Sequence, residues 1–216
     1  MNIYEEENKL FAEWGKGRIG FVADGVVSEK CYLNAPTKIC FVLKEVNDKD
    51  GAGWDLRKFI YSGAREQTWD NIARWVKCIG HIEQAINWNA LKNITKDDRK
   101  AALRSICAMN LKKAPGGHTT NPKIFSTAVR DDKEFINKQY SLYSPDIRIC
   151  CGTGSHLQWI LDLDKEKVYE TTRGIQWFLN SESKPIIIYN HPNARIASSL
   201  LVYGLVDAVR EINQKI

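Results

Sequence analysis

Four compact apolar runs, each released into a polar loop, constrain this chain more than any other feature. They are Lys38-Ile39-Cys40-Phe41-Val42-Leu43, Ser105-Ile106-Cys107-Ala108-Met109-Asn110-Leu111, Ile147-Arg148-Ile149-Cys150-Cys151 and Pro185-Ile186-Ile187-Ile188-Tyr189. A strand with one face in water alternates apolar and polar residues. A strand buried on both faces, as in a parallel sheet covered by helices, reads as a nearly unbroken apolar run. Helical periodicity lies between the runs, at 69–86, 131–143 and 154–162, and closes the chain at 196–212. Strands alternating with helices predict an α/β chain, a three-layer α/β/α arrangement around a central four-stranded, mainly parallel sheet. The 216 residues are expected to form one domain over 1–216. Residues 1–36 would supply an N-terminal helix at 4–14 and an extended arm, with a hairpin around Ala23-Asp24-Gly25.

Composition narrows the class of protein. At 44% hydrophobic and 26% charged residues, the chain is neither disordered nor fibrous. It holds no apolar run of about 18 residues, so no membrane-spanning helix is expected, and the N-terminal stretch lacks an apolar signal core. The expected state is a cytoplasmic monomer. The six cysteines include no CxxC pair and no spacing with histidine that suits zinc, so free thiols, no metal site and no cofactor are expected. A net charge of +5 permits a polyanionic partner without demanding one.

In an open parallel sheet the ligand crevice lies beyond the C-terminal ends of the strands. The first run leads into Lys44-Glu45-Val46-Asn47-Asp48 and the second ends in Asn110-Leu111-Lys112-Lys113. The third ends in Gly152-Thr153-Gly154-Ser155 and the fourth in Asn190-His191-Pro192-Asn193-Ala194-Arg195. Each group alone also fits an ordinary turn or strand end. Their joint placement at four strand ends is what singles them out.

These four ends, in this order, resemble the uracil-DNA glycosylase superfamily over roughly residues 36–210. FVLKEVNDKDG at 41–51 matches the strand and loop that carry a water-activating residue. ICAMNLKKAPGG matches the strand ending in a base-reading Asn, here Asn110. NHPNAR matches the His-Pro motif, with His191 and Pro192 in place and Arg195 at the wedge position. The usual Gly and Pro of the first motif are missing, and Asn193 replaces the usual Ser. One register puts the inert Val46 at the water-activating position. The other puts Glu45 there, with Asp48 in reserve.

The resemblance implies an enzyme that hydrolyses the N-glycosidic bond of a base flipped out of single- or double-stranded DNA. It gives Glu45 the task of orienting water and stabilising the cationic sugar. It gives His191 the charge growing on the departing base. Asn110 would read the base edge through its paired donor and acceptor. Trp69, by its order along the chain, would stack on the base, with Trp54 and Tyr61 as rivals. Lys112, Lys113, His118, Ser155, Asn193 and Arg195 would contact DNA. Two other functions remain open: a non-catalytic nucleic-acid-binding module with the same fold, favoured by Val46 and the missing Gly-Pro, and a hydrolase of free nucleotides.

Overall fold

The computed structural model describes residues 2–48, 51 and 53–216. Lys49 and Asp50, within the first motif, lie outside the described residues. The four apolar runs are β2 (Ile39–Leu43), β3 (Ile106–Asn110), β4 (Ile147–Cys151) and β7 (Pro185–Tyr189). β2 pairs in parallel with both β3 and β4, and β4 pairs in parallel with β7. The sheet is larger than the four strands expected. β1 (Gly25–Val26) adds antiparallel to β3, and β6 (Gln176–Leu179) and β5 (Tyr169–Glu170) extend the other side. The order is β1-β3-β2-β4-β7-β6-β5, seven strands with the parallel set at the centre.

Side chains leave β2 alternately to its two faces, and each face is covered by helices. Ile39, Phe41 and Leu43 join a cluster with α3 (Leu56–Tyr61), α4 (Glu66–Ile79), α5 (Lys96–Leu103) and α9 (Ser198–Asn213). Cys40 and Val42 join another with α1 (Ile3–Trp14), α2 (Glu29–Leu33), α6 (Pro122–Asp131), α7 (Lys133–Ser141) and α8 (Gly154–Ile160). Burial on both faces explains the unbroken apolar runs. Five of the cysteines are buried free thiols and Cys31 is half-buried. No helix among the described residues is long and apolar enough to cross a membrane.

Local signals set the helix ends. Asn2 caps α1 by accepting from the Glu5 N–H at 3.2 Å. Thr95 and Asp98 form a reciprocal capping box on α5. Asn121 caps α6, with Pro122 in the first turn. The helix expected at 69–86 starts earlier and stops at Gly80. The helix expected at 131–143 is α7, and an additional helix, α6, precedes it; the two meet at Asp132, which accepts a bidentate contact from Arg18 at 2.7 and 2.8 Å. The hairpin expected around Ala23-Asp24-Gly25 is not formed, and the extended arm expected over 15–36 is interrupted by α2. Gly25, at φ +124°, starts β1 against β3, and Ser28 starts α2.

A buried polar network ties this N-terminal region to the sheet. Glu7 is fully buried, accepts the Val26 N–H at 2.9 Å and pairs with Arg57 at 2.5 Å. Arg57 also grips Asp55 at 2.9 Å. Burial pushes the Glu7 carboxyl up to about 7, against the opposing pull of the Arg57 guanidinium. Between the ordinary glutamate value of 4.5 and about 7, the folded chain therefore holds a proton that the unfolded chain has released. The contribution of Glu7 to stability is fully present below that window and is lost as pH rises through it. Urea unfolding at pH values on either side of the window should show this loss in the wild type and a flatter profile in Glu7→Gln.

Candidate functional site

Because β3, β2, β4 and β7 run parallel, their C-terminal ends share one edge of the sheet. Across that edge stand, in order, Asn110, then Lys44 and Glu45, then Gly152, then His191. Three strand spacings, roughly 14 Å of backbone, separate the β3 end from the β7 end.

Glu45 sits one residue past Lys44 with its side chain 6% exposed. It is ion-paired with Lys112, whose ammonium also reaches the carbonyls of Ala114 and Pro115 at 3.1 and 3.2 Å. The loops after β2 and β3 extend the ladder beyond the strands. Lys112 N–H donates to Lys44 O at 2.9 Å, Gly116 N–H to Val46 O at 2.8 Å and Asp48 N–H to Gly116 O at 3.0 Å. Gly116 lies against the Glu45 carboxylate so closely that a Cβ there would collide with it. Asp48, the reserve carboxylate, accepts from Trp54 Nε1 at 2.7 Å.

Asn110 is buried at the end of β3, and its Nδ2 lies 3.3 Å from Asp24 Oδ2. Its Oδ1 has no hydrogen-bond partner among the described residues, which leaves it available as an acceptor. Asp24, read from sequence only as part of a turn, is the fully buried anchor of this end. It accepts from Asn110 N–H at 2.8 Å, Lys113 Nζ at 2.6 Å and Gln139 Nε2 at 2.8 Å.

His191 is exposed at the end of β7. Its Nδ1 accepts the Asn193 N–H at 3.1 Å, which puts the ring proton of the neutral imidazole on Nε2. The packing around the ring, and then the nearby Lys44 ammonium, hold its pKa below the ordinary histidine value. The result is a neutral Nε2–H donor beside a cation. Asn71 on α4 donates to Pro192 O at 2.8 Å and is itself held by Arg74 at 2.7 Å, which fixes the loop that carries His191. Thr153 closes the neighbouring turn by donating to Val42 O at 2.7 Å.

Several expected contacts are differently placed. Lys112 and Lys113 are not surface cations for phosphate. Lys112 is bound to Glu45, and Lys113 is buried against Asp24 and Asn110 O. The reason is that unpaired carboxylates inside the fold demand a counter-charge. Trp69 is 6% exposed in the apolar cluster beneath the sheet edge, so its ring is packed rather than presented. Trp54 is half-buried, edge-on to Phe59, and Tyr61 lies under Arg104. His118, Ser155, Asn193 and Arg195 are exposed. Sequence reasoning passed over Lys44, Asp24 and Asn71. Only Lys44 carried a legible signal, as the first residue beyond a buried run.

Two cavities among the described residues lie away from this edge. One, of about 340 Å³, is lined by residues such as Cys78, Ile86, Tyr203 and Arg210, and the other lies between α1 and α7. Among the described residues no three His, Cys, Asp or Glu side chains gather to hold a metal ion. No family model matches the chain, and no curated protein matches it significantly.

Proposed function

We propose that this protein is a DNA glycosylase with a uracil-DNA glycosylase-like fold, hydrolysing the N-glycosidic bond of an extruded deaminated or modified base. The observation that carries the reading is the opposition of Asn110 and His191 across the parallel sheet edge, with Glu45 between them. Hydrolysis of this bond develops positive charge on the sugar and negative charge on the departing base. A neutral His191 Nε2–H beside Lys44 supports stabilisation of the base anion without a prior proton loss. Asn110, with a free Oδ1, supports recognition of a ring N–H. Glu45, oriented by Lys112, supports the sugar cation and the attacking water.

One observation favours a second reading, a nucleic-acid-binding module without catalysis. Glu45 is held by Lys112 against Gly116, where water has little access. The test is a panel of single- and double-stranded oligonucleotides carrying different bases, treated with protein and then alkali. The glycosylase reading expects strand breaks at one class of base and a loss of about 10²-fold or more in Glu45→Gln. Binding without breaks at any base would establish the second reading and sink the first.

A further inference from the structure

The fully buried cations among the described residues are matched to carboxylates. Arg57 pairs with Glu7 and Asp55, Arg99 with Asp70, Lys112 with Glu45, and Lys113 with Asp24. Lys44 is different. It is half-buried at the end of the central strand β2, and among the described residues no carboxylate pairs with it. Its side chain lies along Gly152 at the end of β4, where a Cβ would stand 3.4 Å from Lys44 Cε and 3.7 Å from Nζ. Gly152 is exposed, at φ +72°, so the surface beside the ammonium is bare backbone. Two imidazoles belong to the neighbouring elements. His191 lies on the β7 side, and His156 of α8 is hydrogen-bonded through Nε2 to Ser126 Oγ at 3.1 Å. Both are held below the ordinary histidine value, first by the desolvating protein packed around each ring and second by the Lys44 charge. A half-buried ammonium with no carboxylate partner among the described residues, leaning on the bare backbone of Gly152 and sensed by two neutral imidazoles, offers a charge-assisted contact to an oxyanion.

We propose that Lys44 is the oxyanion contact of this edge, binding an anionic oxygen of the nucleic acid beside His191. The nature of the ligand rests on the function proposed above; the anion site itself does not. Two sources share this chemistry, a non-bridging phosphate oxygen next to the extruded nucleotide and the oxygen of the departing base. An anion seated on Lys44 cancels the charge that both imidazoles sense. His156 and His191 should then titrate at higher pH when the site is filled.

The test follows the His156 and His191 ring signals by NMR in the full chain, titrated with inorganic phosphate. The expected result is a saturable shift of both rings with a rise in both pKa values. Lys44→Met should bind phosphate about tenfold more weakly or worse, and Lys44→Arg should retain most of the affinity. A second titration separates the sources. A response to an abasic oligonucleotide identifies the phosphodiester, and a response to free uracil identifies the departing base. No saturable shift in the wild type, or equal binding by Lys44→Met with its fold intact by circular dichroism, would overturn the proposal. Because no turnover is involved, an inactive protein that still binds phosphate through Lys44 would sink the glycosylase reading and leave the anion site standing.

Discussion

Replacing Asp24 with alanine is expected to destabilise the folded chain by about 3–5 kcal/mol. Asp24 is fully buried, and its two oxygens accept from the Asn110 backbone, from Lys113 Nζ and from Gln139 Nε2. Alanine would leave the buried Lys113 ammonium with only the Asn110 carbonyl at 2.8 Å, above the rings of Trp14 and Phe11. Removing one member of a buried pair leaves an uncompensated charge, which costs far more than the pair contributes. For a chain of this length the loss corresponds to a fall in Tm of roughly 6–20 °C. Adding Lys113→Met should recover part of it, because the uncompensated ammonium is then gone. Urea and thermal unfolding of the single and double variants measure both effects. A loss below about 1 kcal/mol in Asp24→Ala, or no recovery in the double variant, would contradict this account.

Under the proposed glycosylase reading, replacing His191 with alanine should slow base release by about 10²–10³-fold while leaving oligonucleotide binding nearly unchanged. The expected effect falls on the chemical step because the Nε2–H becomes valuable only as negative charge grows on the departing base. The Asn193 N–H on Nδ1 fixes the tautomer, and Lys44 with the surrounding packing keeps the ring neutral. His191→Gln should keep part of the rate, since an amide N–H can still donate. Single-turnover kinetics on the base identified by the oligonucleotide panel separate release from binding. A rate within about threefold of wild type would remove His191 from the reaction. The Asp24 and His191 results are independent, because one concerns the β3 end and its buried anchor and the other the β7 loop.

The four central strands were legible because an unbroken apolar run has few physical solutions other than burial on both faces. The flanking strands were not. β5 is two exposed residues long, and β6 is only Gln176–Leu179 within a polar stretch. The short helix within the arm at 15–36 was not legible, because a run rich in Gly and β-branched residues suits extended chain, whereas packing of Tyr32 into the core selects α2. The candidate edge was legible in its order, since parallel strands bring Asn110, Glu45 and His191 to one side. Trp69 was a harder case, because its spacing fits both a stacking ring and the buried face of α4.

The sequence by itself determined an α/β chain with four buried strands and a polar edge at their C-terminal ends. Those properties follow from local periodicity and from the parallel geometry it implies. Only the tertiary structure decided which charges at that edge are available. Lys112 and Lys113 are adjacent to each other and identical in type, yet one turns to Glu45, 67 residues away, and the other to Asp24, 89 residues away. Lys44, one position past a strand like many other residues, remains without a carboxylate partner among the described residues. Charge pairing is settled by distance in space and by the cost of burying an unpaired ion, and neither is written in the spacing of residues along the chain.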